Sequence, residues 1–276
     1  ILYTIKQRMI SKIFTNSLKR GISFKPVNKI NTFNYNSLRR MSNSVSNFYD
    51  KKNLTYGHGI PSEIVFGRNE TTMKQIPSIL NGEKCAVLGY GPQGQGQALN
   101  LRDSGVEVCI GVRENGSSWK KAIEDGFIPG ETLFPIEEAV EKGNIIMFLL
   151  SDAGQIDIYP QIRDKLDNKN KTLYFSHGFG VVYQDKTNID VDNLKNTDVI
   201  MVAPKGSGKS VRTLYKKGGG INASYAIHRD DSGNAENKAL AIGFGIGSPY
   251  IYETTFLKEV SSDLTGERSV LMGGIA

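Results

Sequence analysis

Acidic residues are missing from the first part of this sequence, and cysteine is scarce throughout. Residues 1–49 hold nine basic residues and no Asp or Glu. The whole chain of 276 residues carries 34 Lys and Arg against 28 Asp and Glu, a formal net charge of +6. Residues 50–276 therefore keep 25 bases against 28 acids, a net −3. The positive excess belongs to the N-terminal segment, so the later part lacks the basic face that nucleic-acid binding requires. Two cysteines, Cys85 and Cys109, are too few for a disulfide scaffold and lack the spacing of a thiolate metal site. No stretch approaches the roughly 18 uninterrupted apolar residues of a membrane span. Only His58, His177 and His228 offer imidazole chemistry. At 39% hydrophobic and 22% charged, the composition is globular, and the length allows one large or two ordinary domains.

The acid-free segment has a pattern of its own. Met9, Ile10, Ile13, Phe14 and Leu18 fall near one face of a helix, with Lys12, Lys19 and Arg20 elsewhere. A basic, amphipathic, Ser-rich start is the composition of a mitochondrial transit peptide, and no apolar core of a secretory signal is present. Residues 1–48 are therefore expected to direct the protein to the mitochondrial matrix, with cleavage near Arg39-Arg40-Met41-Ser42. The alternative is a solvated basic tail.

From about residue 84 short apolar runs alternate with stretches of helical length. Strands are expected at 85–88, 106–112, 145–150, 172–175 and 199–202. Helices are expected at 95–103, 118–125, 136–142 and 156–166. Uninterrupted apolar, often β-branched strands separated by helices predict a doubly wound α/β sheet. Residues 49–229 form the expected Rossmann-like dinucleotide domain, with residues 50–83 packing on it as an extension. After Ile221 the texture changes. Helices are expected at 223–227, 238–246 and 256–271, so residues 230–276 read as the start of an all-helical domain.

Gly89-Tyr90-Gly91-Pro92-Gln93-Gly94 is a GxGxxG turn that follows a strand and opens a helix. Gly89 permits the turn, Gly91 lets the backbone approach a pyrophosphate, and Gly94 lets helix and strand pack closely. The alternative is a glycine-rich turn without ligand. The next strand ends in Arg113 where an NAD site usually carries an acid. Ser117 and Ser118 follow, and a guanidinium with two hydroxyls suits the 2′-phosphate of NADPH. Glu114 is the competing reading, since it can bind a ribose hydroxyl. Ser151 lies in a third strand-end loop that faces the cofactor crevice. Asp152 beside it reads equally as a helix cap.

His177 sits at a strand's carboxyl end in Phe175-Ser176-His177-Gly178, where a titratable group meets a nicotinamide. A satisfied structural His is the other reading. Lys205 lies in Ala203-Pro204-Lys205-Gly206-Ser207-Gly208-Lys209, again on the crevice side, and either fixes an anionic substrate oxygen or belongs to a solvated loop. The segment is not a phosphate-binding P-loop, because no Gly precedes Gly208 by five residues. Asp263 and Glu267 are i and i+4 in an expected helix, so their carboxylates share a face. A divalent cation such as Mg²⁺ bridges such a pair; a solvated helix face is the alternative.

The segments LGYGPQGQGQALNLRDSG, GVRENGSSW, LLSDA, LYFSHGF, APKGSG and DLTGER occur in this order. The set closely resembles ketol-acid reductoisomerase, also called acetohydroxy-acid isomeroreductase, of the fungal-like mitochondrial type. The resemblance runs from about residue 55 to the last. It implies a Rossmann-like NADPH domain followed by a helical, Mg²⁺-binding domain, and homo-oligomers in the full-length family. It implies Mg²⁺-dependent alkyl migration of 2-acetolactate or 2-aceto-2-hydroxybutyrate, then NADPH reduction to the 2,3-dihydroxy acid, in valine, leucine and isoleucine synthesis. His177 and Lys205 resemble the family's active-site histidine and lysine, and Asp263 and Glu267 its first metal-binding pair. Arg113, Ser117 and Ser118 match its 2′-phosphate loop. Gly180 stands where a polar residue is expected, and Ser207 where Pro is expected. Family members continue well past Ala276, so the chain is expected to be C-terminally truncated and inactive by itself. Two other readings stay open: another NADP-dependent hydroxy-acid dehydrogenase, and a fragment that binds NADPH without chemistry.

Overall fold

The computed structural model describes residues 48–55, 57 and 62–266. Residues 1–47 of the segment read as a transit peptide, and Glu267, lie outside the described residues. The chain runs through β1 (Tyr49–Leu54), β2 (Glu63–Arg68), α1 (Thr72–Ile79), β3 (Lys84–Leu88), α2 (Pro92–Asp103) and β4 (Glu107–Gly111). There follow α3 (Ser117–Glu124), β5 (Leu133–Phe134), α4 (Ile136–Lys142), β6 (Ile145–Phe148), α5 (Asp152–Leu166) and β7 (Lys171–Phe175). Two short helices come next, α6 (Phe179–Val182) and α7 (Gln184–Thr187), and a 3₁₀ turn at Val191–Asn193. The last elements are β8 (Thr197–Pro204), α8 (Gly208–Lys216), β9 (Ala223–Arg229), α9 (Ala235–Gly245), β10 (Tyr250–Glu253) and α10 (Phe256–Thr265).

The ten strands among the described residues join one sheet in the order β1-β2-β10-β9-β8-β7-β6-β3-β4-β5. Strands β3 to β8 are mutually parallel. In chain order those six read 3-2-1-4-5-6, the Rossmann arrangement, with the switch point between β3 and β6. A parallel sheet needs both faces covered, and the sequence supplies this as unbroken apolar runs. Successive side chains alternate between faces. Val87, Tyr174 and Val202 pack on one side with Leu240 and Phe244 of α9. Leu88, Phe148, Phe175 and Met201 pack on the other. Each such side chain contributes about 1.5–3 kcal/mol through burial. Cys85 and Cys109 are buried on adjacent strands, and burial pushes the Cys109 thiol up to about 11.

The expected sheet from 85 to 202 matches the observed one closely. The region after residue 220 does not. Residues 223–227, read as helix, form β9, which pairs antiparallel with β8 and parallel with β10. Strands on both sides satisfy its backbone, and buried Ala223, Tyr225 and Ala226 fit the pleated surface; pairing outweighs local helix preference here. The sheet therefore does not stop at residue 229 but continues to Glu253. Strand β2 pairs antiparallel with β10, and β1 with β2, so the segment 50–83 completes the sheet edge rather than only packing on it. Contacts gather the described residues into one compact unit. Among the described residues, no helix is long and apolar enough to cross a membrane.

Candidate active site

The glycine turn lies at the carboxyl end of β3, beside the switch point. Gly89 has φ +93°, and a Cβ there would lie 2.9 Å from the Leu149 carbonyl oxygen. A side chain is excluded on both grounds. A Cβ on Gly94 would sit 2.1 Å from the Gly89 carbonyl oxygen, so α2 packs directly on the turn. A Cβ on Gly91 would meet nothing within 4 Å, which leaves its backbone open to a ligand. Pro92 starts α2 without an N–H to satisfy, and the Gln93 and Gly94 amides have no intrahelical acceptor. Free amides at a helix N-terminus, together with the helix dipole, are able to receive an anion. The side chains of Tyr90 and Gln93 are engaged elsewhere. Tyr90 is buried and donates to Asp125 Oδ2 at 2.9 Å; Gln93 Nε2 donates to the Gly206 carbonyl at 3.0 Å.

Arg113 and Ser117 are exposed at the end of β4 and the start of α3, with Ser118 half-buried; Glu114 is exposed there too. Ser151 is the N-cap of α5, accepting from the Gly154 amide at 3.3 Å. The cap is thus Ser151, and Asp152 is the first helical residue, one place later than the capping role read from the sequence.

A second group of residues closes over the carboxyl ends of β7 and β8. Lys205 Nζ contacts Glu259 Oε2, and Ser224 Oγ donates to the same oxygen at 3.0 Å. Lys205 Nζ also lies 5.9 Å from the Tyr252 ring centroid. His177 Nδ1 is 3.3 Å from Asp263 Oδ2. Its ring stacks on Phe179, centroids 6.3 Å apart at 8°. Glu259 and Asp263 are i and i+4 on α10, so one helix face serves both loops. The helix can approach because Gly178 has no side chain; a Cβ there would lie 3.0 Å from Phe256 and 3.1 Å from Val260. The structure thus unites His177, Lys205 and Asp263, and adds Glu259, which sequence reasoning missed. Its signal was the same i,i+4 spacing from Asp263 as Glu267, in the opposite direction.

Ligand atoms of His177, Glu259 and Asp263 lie within 4.8 Å of one another. Two carboxylates fit a hard cation such as Mg²⁺; an imidazole nitrogen does not. Glu259 is already held by Lys205 and Ser224, which leaves Asp263 as the better donor.

The loops at the ends of β7 and β8 and the glycine turn are joined. Gln97, fully buried on α2, donates to Ser176 Oγ at 2.7 Å and to Gln93 Oε1 at 3.1 Å. A Cβ on Gly208 would sit 2.1 Å from the Pro92 backbone, so the loop bearing Lys205 touches the first turn of α2. Ser207, found where Pro was expected, caps α8 by accepting from the Ser210 amide at 3.2 Å.

Comparison with known proteins bears on this arrangement directly. The family model described as "Acetohydroxy acid isomeroreductase, NADPH-binding domain" matches residues 79–250. The chain belongs to the acetohydroxy acid isomeroreductase family. Its domain is therefore a nicotinamide dinucleotide-binding domain of the ketol-acid reductoisomerases. The chain is 54% identical over 213 residues to the probable mitochondrial ketol-acid reductoisomerase of Schizosaccharomyces pombe, covering 77% of this chain and 52% of that protein. It is 55% identical over 222 residues to the ketol-acid reductoisomerase (NAD(+)) of Desulfosudis oleivorans, covering 80% of this chain and 62% of that one. A solved NADH-preferring ketol-acid reductoisomerase from an uncultured archean superposes with a TM-score of 0.65 at 41% identity, covering 72% of this chain and 59% of that one. The chain thus spans about half to three-fifths of the length of these isomeroreductases.

Proposed function

We propose that the chain supplies the cofactor domain and part of the reacting centre of a ketol-acid reductoisomerase. The reaction is alkyl migration in 2-acetolactate or 2-aceto-2-hydroxybutyrate followed by reduction to the 2,3-dihydroxy acid, in branched-chain amino-acid synthesis. The observation that carries this reading is the meeting of His177, Lys205, Glu259 and Asp263 beside the glycine turn. A simple hydroxy-acid dehydrogenase needs an acid or base near the nicotinamide but has no use for a carboxylate-bearing helix face over it.

Glu259, fixed by Ser224, holds the Lys205 ammonium at the strand end, where its remaining donors meet an anionic substrate oxygen. Asp263 orients the His177 imidazole, which takes or gives a proton directly or through water. Asp263, with Glu267 beyond the described residues, would hold Mg²⁺, whose chemistry when bound is Lewis-acid polarisation of substrate oxygens. The amides of Gln93 and Gly94 take the pyrophosphate, and Ser151 lines the same crevice. Arg113, Ser117 and Ser118 take the 2′-phosphate, which favours NADPH, the source of hydride. Residues 1–48 act as the import segment for the mitochondrial matrix, α10 begins the helical domain, and the working enzyme is a homo-oligomer.

The test uses a chimera in which the fission-yeast relative supplies the sequence that follows this chain in the alignment. NADPH oxidation at 340 nm should require both 2-acetolactate and Mg²⁺, with NADPH favoured over NADH. Metal-independent turnover of acetolactate contradicts the reading.

A further inference from the structure

The cofactor reading rests on two separate elements. The pyrophosphate turn belongs to β3 and α2, whereas the 2′-phosphate group belongs to the loop after β4 and the first turn of α3. NADPH fixes the span between its pyrophosphate and its 2′-phosphate within narrow limits, so the two elements must be held at a matching separation. Helix α3 has eight residues, of which only Trp119 and Ala122 are buried, so apolar packing anchors it weakly.

Asp125, which ends α3, makes the connection. Its Oδ2 accepts a hydrogen bond from Tyr90 Oη at 2.9 Å and one from Gln95 Nε2 at 2.6 Å. Its backbone carbonyl accepts from Arg102 Nη1 at 2.8 Å. Tyr90 is the residue between the first two glycines of the turn, and Gln95 and Arg102 are on α2. Every donor to Asp125 thus comes from the pyrophosphate element. Phe127, two residues on, meets the Tyr90 ring edge-to-face at 5.8 Å and lies under the Arg102 guanidinium at 4.8 Å. Burial, and then the carboxylate of Asp125, push the Tyr90 phenol up, so it remains a donor at all physiological pH values.

We propose that Asp125 is a positioning residue for cofactor selectivity: it locks α3, and with it Arg113, Ser117 and Ser118, at the spacing from the glycine turn that a 2′-phosphorylated dinucleotide requires. This rests on the NADPH reading above. Without the carboxylate, α3 loses its register on the turn. The contacts unique to the 2′-phosphate then weaken, while the pyrophosphate contacts, made by α2 itself, persist.

The test is a fluorescence titration of the chain with NADPH and with NADH, in the wild type and in Asp125→Ala, Asp125→Asn, Tyr90→Phe and Arg113→Ala. Asp125→Ala should raise the Kd for NADPH about tenfold or more and that for NADH less than about threefold. Asp125→Asn keeps an acceptor oxygen and should stay within about twofold of wild type for both. Tyr90→Phe removes one link without changing the packing and should fall between them, which covers the case in which Asp125→Ala does not fold. Equal losses for both cofactors, or none, overturn the proposal. If Arg113→Ala also leaves the NADPH-to-NADH ratio unchanged, the 2′-phosphate reading is what has failed. If Arg113→Ala collapses the ratio and the Asp125 and Tyr90 variants do not, only the coupling has failed.

Discussion

Strands β7 and β8 carry a lysine–carboxylate cluster at each end, and the two clusters differ in one respect that decides their roles. At the amino end, Lys238 Nζ donates to Thr172 Oγ1 at 3.0 Å and reaches Asp198 Oδ2 at 3.3 Å and Glu83 Oε1 at 3.4 Å. Asp198 also accepts from the amides of Asp231 and Ser232 and from the Ser232 hydroxyl. Its side chain is 2% exposed and that of Lys238 9%, and their hydrogen bonds are all internal. At the carboxyl end, Lys205 is 33% exposed, His177 26% and Asp263 42%, with only Glu259 buried at 7%. Both ends pair a lysine with carboxylates, and the carboxyl end adds His177. What separates the closed cluster from the open one is spare donor and acceptor capacity turned toward an opening. Removing one partner of a closed, buried pair leaves an uncompensated charge; removing one from an open cluster leaves a group that water can reach.

This contrast predicts an ordered set of effects. Lys238→Met should cost the most stability, about 3–5 kcal/mol in urea denaturation, because Asp198 is left charged in the core. A loss no larger than that of a surface substitution would remove the distinction between the ends. Lys205→Met should cost less, about 1–3 kcal/mol, since Lys205 is 33% exposed and water can reach the place its ammonium leaves. In the chimera it should nevertheless lower turnover by about 100-fold or more while NADPH affinity stays unchanged. Arg113→Ala should leave thermal stability unchanged and weaken NADPH about tenfold relative to NADH, the loss of a charge-assisted hydrogen bond.

The smallest effect concerns a third pair. His228 Nε2 lies 2.6 Å from Asp192 Oδ1. Burial alone would raise the Asp192 carboxyl, but hydrogen bonds from His228 and Gln184 outweigh it and hold the group below its ordinary value of 3.8. A depressed carboxylate stabilises the fold fully above its unfolded pKa and loses that contribution as pH falls through the folded value. Asp192→Asn should therefore lower stability slightly at neutral pH and flatten its decline below about pH 4. An unchanged acid limb contradicts this.

The parallel half of the fold was legible because its strands are apolar on both faces and its helices separate them at regular intervals. GxGxxG was legible because Gly89 and Gly94 have steric duties that no other residue performs. β9 was not, since Ala223, Ala226 and Ile227 carry no periodicity of their own and only the flanking strands β8 and β10 make that segment extended. Glu259 escaped for a related reason. Its i,i+4 spacing from Asp263 does not set it apart from Glu267, and its place in the cluster comes from Lys205 and Ser224, which lie 54 and 35 residues away in sequence. The lysine at the amino end escaped too: Lys238 reads as a polar helix residue until the fold buries it against Asp198. Backbone-made sites are written in local sequence, whereas side-chain clusters are assembled by topology.

The central claim is that the glycine turn and the open cluster form one site. Hydrogen–deuterium exchange of the chain with and without NADPH tests it most directly. Slower exchange is predicted in residues 89–95 and 113–118 and also in the loops 176–178 and 205–208. Protection absent from residues 89–95, or confined to them with both reacting loops unchanged, would contradict the account.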